Sequence, residues 1–154
     1  MENTEIISLI EQAIEARKNA YTPYSHFAVG AALLGKTGRI YTGCNIENAA
    51  YTPTNCAERT AFFKAVSQGE HEFSAIAIVG GRVDMTCAQI CPPCGVCRQV
   101  MREFCKDEFL IYLGKQTPEG EISYRTMTLG QLLPESFGPD NFCLLYTSPS
   151  PRDR

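Results

Sequence analysis

Three cysteines and a glutamate have the types and spacing to do chemistry. They lie in Cys56-Ala57-Glu58 and in Pro93-Cys94-Gly95-Val96-Cys97, each at a point where a helix is expected to begin. A helix N-terminus has partial positive charge and favours thiolates. Cys94 and Cys97 are three apart, so their side chains can converge on one ion, and Cys56 can bring a third sulfur from a second helix. Three thiolates suit Zn²⁺ and leave the fourth tetrahedral position for water, the pattern of catalytic zinc rather than closed structural zinc. Glu58 follows a ligand by two residues. It can stand beside that water without binding the metal, take its proton and hand it to a leaving group. The thiolates make the site formally anionic, which opposes ionising water. Arg59, three residues from Cys56, can reach the sulfurs and offset that charge.

Each feature also has a plainer reading. Asn55-x-x-Glu58 fits a helix-capping pair. A Cys-x-x-Cys alone can be a redox pair or part of a zinc ribbon. Cys91-Pro-Pro-Cys94 forms a second such pair, so Cys91 could close a four-cysteine structural site. Cys44, Cys87 and Cys105 read as inert buried thiols.

The elements that must position these residues follow from periodicity. Ile6, Leu9, Ile10, Ala13, Ile14 and Arg17 recur at helical spacing, predicting an amphipathic helix over 4–18 that starts at Asn3 or Thr4. Phe27–Leu34 and Arg39–Gly43 predict a hairpin about a Gly35–Gly38 turn. The Ala28, Gly30, Ala32, Leu34 face is mostly small and suits a close helix. Asn55 is the expected cap of a helix over Cys56–Ser67, ended by Gly69. Phe73–Gly80 is an almost unbroken apolar run, as in a central strand buried on both faces. A helix over Cys94–Cys105, strands over Phe109–Leu113 and Ile122–Met127, and a short helix opened by a Thr128…Gln131 capping box complete the pattern. Helices interleave with strands, so the expected fold is α/β: a three-layer α/β/α sandwich with one mixed five-stranded sheet.

The chain has 154 residues, enough for one domain that buries roughly 68–70% of its unfolded surface without disulfide staples. Its 44% hydrophobic and 20% charged content argues against disorder and coiled coil. Net charge is −3 with no Lys/Arg block, which disfavours a polynucleotide partner, and no apolar run is long enough for a membrane span. The opening MENTEIIS is acidic and amphipathic, unlike a secretory signal. The last residues, CLLYTSPSPRDR (143–154), break the composition and resemble a translated sequencing adapter, so the domain is expected to be 1–142 with a non-native tail after it. Residues 1–142 hold seven cysteines, an odd number, which argues against a disulfide framework and for a reducing, cytoplasmic compartment.

The joint pattern of C-A-E and P-C-x-x-C is similar to the zinc deaminase signature, with its non-ligand Glu. Over nearly the whole chain the sequence resembles the small homotetrameric cytidine deaminases. The resemblance rests on S-H-F-A-V-G-A-A-L (25–33), C-N-I-E-N-A-A-Y (44–51), N-C-A-E-R-T-A (55–61), P-C-G-V-C-R-Q (93–99) and L-L-P-E-S-F-G-P (132–139). It implies that Phe27 packs against a pyrimidine ring, that Asn45 and Glu47 bind the ribose 3′-hydroxyl, and that the Ala57 N–H holds the base carbonyl. It implies too that Tyr51 and Phe137 reach into sites of neighbouring subunits of a homotetramer. The reaction implied is hydrolytic deamination of cytidine or deoxycytidine, with one zinc per subunit and Glu58 as proton shuttle. Phe27 also reads as a core residue, Asn45 as a turn former and Phe137 as a surface residue anchored in a loop. Cys87 and Cys91 stand where that family leads one to expect no thiols.

Three rivals remain at this level. A polynucleotide-editing deaminase should be basic, with aromatics among its cations. A deaminase of a cytosine nucleoside antibiotic, of the blasticidin type, shares the zinc motifs but resembles the chain less around N-I-E-N and the C-terminal Phe. A structural zinc protein requires a fourth sulfur in place of water.

Overall fold

The computed structural model describes residues 1–143. The tail expected over 143–154 lies, beyond Cys143, outside the described residues. Helices and strands follow in the order α1 (Asn3–Arg17), β1 (Phe27–Gly35), β2 (Ile40–Cys44), α2 (Ala57–Ser67), β3 (Phe73–Arg82), α3 (Gly95–Phe104), β4 (Leu110–Gln116), β5 (Ile122–Thr128), α4 (Leu129–Leu132) and α5 (Pro139–Cys143). The strands form one mixed sheet in the order β2-β1-β3-β4-β5. Only β3 and β4 run parallel, joined by the α3 crossover, and the other neighbours are antiparallel.

The sheet is the middle layer of three, as expected. Ile6, Leu9, Ile10 and Ala13 of α1 pack with Ala32, Ala75, Ala77 and Val79 on one face. On the other, Phe62 of α2 and Met101 of α3 join Ala31, Leu33, Ile76, Ile78 and Ile111. Successive side chains of a strand point to opposite faces. β3 therefore feeds both clusters, which is why its sequence is apolar without alternation. Two glycines set how close the helices come. A Cβ on Gly30 would stand 2.0 Å from the Ala13 carbonyl oxygen of α1, and one on Gly43 would stand 2.4 Å from that of Ala57 in α2. The small-residue face of β1 thus receives α1 as expected. Gly43 lets the first turn of α2 lie directly on β2.

α1 starts at Asn3, one of the two expected starts, and is capped by Glu2, whose N–H donates to the Glu5 carboxylate at 3.1 Å. The Asn3 side chain accepts from the Tyr124 hydroxyl. Element ends differ from expectation where tertiary bonds decide them. β4 runs on through Lys115 and Gln116, because the β4–β5 ladder continues to Gln116↔Ile122 whatever the side chains are. Arg17, grouped with the apolar stripe of α1, is a polar clamp. Its guanidinium donates to the carbonyls of Ala28 (2.9 Å), Gly81 (2.8 Å), Arg82 and Met85 (3.2 Å). The capping box of Thr128 and Gln131 is present. α5 was not expected; it opens on Pro139, whose fixed φ suits a first helical residue.

One end of the sheet gathers the residues that matter. Antiparallel pairing sets Phe27, which opens β1, beside Arg82, which closes β3, and sets Gly30 beside Cys44, which closes β2. α2 and α3 are the next helices after the ends of β2 and β3. Among the described residues no helix is long and apolar enough to cross a membrane.

Candidate zinc centre and active site

Cys56 and Cys94 occupy equivalent positions. Each is the N-cap of its helix, with extended backbone (φ −76°, ψ 156° and φ −69°, ψ 169°). Side chains at the N-cap and three residues later face one another, the geometry a capping box uses. In α3 that partner is Cys97, and the two sulfurs stand 3.6 Å apart. In α2 it is Arg59, whose guanidinium donates to Cys56 Sγ at 3.2 Å. Asn55 is therefore not the cap; its amide donates to the Thr60 hydroxyl at 3.2 Å. Glu58 consequently falls at the second helical position, and the Asn55–Glu58 capping reading fails.

The two helix starts bring Cys56 Sγ within 3.8 Å of Cys94 Sγ, and all three sulfurs lie within 4.8 Å of one another. On a tetrahedral zinc with bonds near 2.3 Å, sulfurs stand about 3.8 Å apart. The donor set fits that ion. Among the described residues Cys91 does not join the group. Its sulfur lies over Gly80 beside the Phe27 ring, both within 3.2 Å of where a Cβ of Gly80 would be. The fourth sulfur that a structural site requires is thus missing from the cluster.

The charges are arranged to match. A hydrogen bond with the Cys97 thiol, then the hydrogen bond and charge of Arg59, bring Cys56 down to about 5 despite its burial. Cys97 is driven up, first by that same bond and then by burial. The guanidinium of Arg59 thus favours the thiolate form of Cys56. Arg59 Nε is buried with no hydrogen-bond partner. Burial lifts the Glu58 carboxyl to about 7, and the nearby Cys56 charge adds to the effect; the side chain is only 4% exposed. Cys91 is pushed up to about 12 by burial and by the negative groups around it, Glu58 first, so it stays a neutral thiol. Cys87 and Cys105 are buried as expected, whereas Cys44 is only half-buried because it closes the edge strand β2.

Of the other predicted residues, Phe27 opens β1, Asn45 and Glu47 follow β2, Ala57 opens α2, and Tyr51 and Phe137 lie outside the strands and helices. Phe27 is 41% exposed, so it is not the core residue that its strand position also suggested. Ala57 is fully buried and opens α2, which leaves its N–H without a partner inside the helix. Asn45 and Glu47 both face the Tyr24–Val29 segment and bond to it. The Asn45 amide accepts from the Val29 N–H at 2.9 Å and donates to the Phe27 carbonyl at 2.8 Å. Glu47 accepts from the Tyr24 and Ser25 N–H groups at 3.0 and 3.1 Å and from the Ser25 hydroxyl. Tyr51 is 73% exposed, in a left-handed conformation (φ 63°), with its ring edge-on to Tyr24. Phe137 is 60% exposed and edge-on to Phe142.

Residue-by-residue reading missed what holds Phe137 in place. Arg98 donates to the Pro93 and Leu132 carbonyls, both at 2.7 Å, Gln99 to the Phe137 carbonyl at 2.8 Å and Arg102 to the Ser136 hydroxyl at 2.7 Å. The polar face of α3 therefore straps the 132–137 segment against the cysteine loop. The signal was available in the polar stripe Arg98, Gln99 and Arg102, but nothing local says that a polar stripe grips backbone rather than water.

A three-sulfur centre with a buried carboxyl group, at one end of a mixed sheet between two helix starts, defines a zinc-dependent deaminase architecture. Residues 3–113 match the cytidine and deoxycytidylate deaminase zinc-binding region, and the chain belongs to that family. It is 47% identical over 137 residues to a cytidine deaminase of Sporosarcina psychrophila, covering 89% of this chain and 94% of that protein. It is 50% identical over 129 residues to one of Halalkalibacterium halodurans, covering 84% and 91%. Among solved structures, cytidine deaminase from Burkholderia pseudomallei aligns with a TM-score of 0.74 at 45% identity, covering 89% of this chain and all of that one. The Mycobacterium tuberculosis enzyme aligns with a TM-score of 0.71 at 39% identity, covering 90% and 99%.

Proposed function

We propose that this protein hydrolytically deaminates free cytidine and deoxycytidine to uridine and deoxyuridine, releasing ammonia, in pyrimidine salvage. The observation that carries the proposal is the triangle of Cys56, Cys94 and Cys97 at zinc spacing, with buried Glu58 two residues from one of its members. Cys56, Cys94 and Cys97 would hold the ion. Zinc bound there supplies Lewis acidity, which brings the ionisation of water within reach of a side-chain base near neutral pH.

The residues of the chain do the rest. Glu58 accepts one proton of the water that adds to C4 of the cytosine ring and passes it to N3, then takes the proton of the new C4 hydroxyl and gives it to the amine, so that the C4 carbonyl forms as ammonia leaves. Its lifted pKa of about 7 suits it to both directions of transfer near neutrality. Arg59 offsets the negative charge on Cys56 that opposes that step. Phe27 offers a ring face to the flat base. The Ala57 N–H holds the base carbonyl. Asn45 and Glu47 meet the ribose 3′-hydroxyl with the capacity that their bonds to the Tyr24–Val29 segment leave free. The acidic balance of the chain and these sugar contacts favour a free nucleoside over a polynucleotide.

The active form is proposed to be a cytoplasmic homotetramer in which Tyr51 and Phe137 complete neighbouring sites. Their exposure in one chain supports that reading. The deciding assay offers purified protein cytidine, deoxycytidine, CMP and single-stranded DNA, follows loss of ultraviolet absorbance and quantifies zinc. Turnover of the two nucleosides with one zinc per chain is expected. No nucleoside turnover by zinc-loaded protein overturns the proposal.

A further inference from the structure

We propose that Ser25 is a positioning residue whose hydroxyl ties the Glu47 carboxylate to the backbone of Phe27, so that the sugar contact and the base contact are held by one loop. The inference rests on the functional reading above and concerns a residue which that reading leaves without a role.

Ser25 Oγ donates to Glu47 Oε2 and accepts the Phe27 N–H at 3.1 Å. A hydroxyl has one donor and two acceptor sites, so both bonds are made at once and neither competes with the other. The loop around it needs holding. His26, between Ser25 and Phe27, has φ 57°, a left-handed conformation that costs a non-glycine residue free energy and persists only when its surroundings enforce it. The enforcing bonds run from the His26 N–H to the Thr22 carbonyl and from the Val83 N–H to the His26 carbonyl, both at 3.0 Å. The Asn45 bonds to Phe27 and Val29 pin the far side of the turn.

Among the described residues, Ser25 is the only side chain bonded to both Glu47 and the Phe27 N–H. Glu47 accepts three bonds from this loop and keeps about one of its roughly four lone-pair sites. Asn45 keeps one N–H and one lone pair by the same count. The free valences are therefore aimed before any sugar arrives, and Ser25 couples their aim to the position of the Phe27 ring. Removing the hydroxyl releases one Glu47 oxygen and the Phe27 N–H, and the left-handed turn loses one of its restraints. Glu58 and the cysteines stand on α2 and α3, outside this loop, so the chemical step on bound substrate is spared.

Ser25→Ala is expected to raise KM for cytidine about tenfold, the order of one lost hydrogen bond to a charged group, with kcat within twofold, zinc content unchanged and Tm lowered by only about 2–8 °C. Ser25→Thr keeps the hydroxyl and should restore KM to within about twofold of wild type. In a Glu47→Ala background, Ser25→Ala should raise KM by clearly less than it does in wild type, because residues that act through one another are not additive. Three results each overturn the proposal: an unchanged KM in Ser25→Ala, multiplying effects in the double variant, or a Ser25→Thr variant as weak as Ser25→Ala. Wild-type turnover tests the functional reading on its own, so the two failures are separate.

Discussion

Glu58 lies in the first turn of α2, two residues from a sulfur ligand and almost wholly buried. Burial is what makes it useful, since it lifts the carboxyl to about 7, where it can both accept and return a proton. Glu58→Ala should keep zinc and fold but remove turnover, a loss of at least about 10²–10⁴-fold in kcat, read by the absorbance assay beside a metal analysis. Retained turnover would strip Glu58 of its acid–base role. Arg59 acts one step further out. Its guanidinium touches Cys56 and favours the thiolate, so Arg59→Gln should lower kcat or zinc affinity by about 10–100-fold while Tm moves little. Normal rates at normal zinc content would show that the sulfur charge needs no such offset.

At the scale of elements, two helix starts are built alike, and the centre exists because they meet. A second junction closes the other end of α2. Glu70 is buried just past that helix. Its carboxylate accepts from the Thr37 N–H (3.1 Å) and hydroxyl (2.6 Å) and from the Tyr41 hydroxyl (3.0 Å), locking the β1–β2 hairpin to the helix. The Thr37 hydroxyl first, then its N–H and Tyr41, hold Glu70 below its ordinary 4.5. A carboxyl depressed in the fold stabilises it above the unfolded pKa and loses that contribution as pH falls through the folded pKa. Glu70→Gln should therefore lower Tm near neutrality and flatten the fall of Tm between pH 5 and the acid limit, as scanning calorimetry would record. An equal acid slope in wild type and variant would place the pH dependence elsewhere.

At the scale of the whole molecule, α3 does two jobs. Its first turn brings two ligands, and its polar face straps the segment that presents Phe137. A large exposed aromatic fixed by backbone bonds is placed for contact beyond its own chain. Sedimentation should find a four-chain assembly. Co-assembled Glu58→Ala and Phe137→Ala chains should regain activity above either parent, because in some sites an intact carboxyl faces an intact neighbouring ring. Activity no higher than that of Phe137→Ala alone would show that each chain completes its own site.

The zinc triad and its carboxylate were legible in the residues because their spacing is local: two, three and three positions along helices whose starts the sequence marks. Strand faces were equally plain, since alternation and the unbroken run at Phe73–Gly80 reflect burial on one or two sides. Long-range contacts settled what local spacing leaves open. Cys91 is as near to Cys94 in sequence as Cys97 is, yet the extended Cys-Pro-Pro-Cys loop turns it onto Gly80 beside Phe27, away from the metal ligands. Asn55 has the side chain of a cap, but it turns to Thr60 and leaves the N-cap position to Cys56. Asn45 and Glu47 have the chemistry of sugar readers, and only folding revealed that most of their bonds fasten the Phe27 loop first. Residue types and short spacings state which chemistry is possible. Which groups stay free for it depends on partners brought from distant parts of the chain, and those are chosen by packing on the sheet.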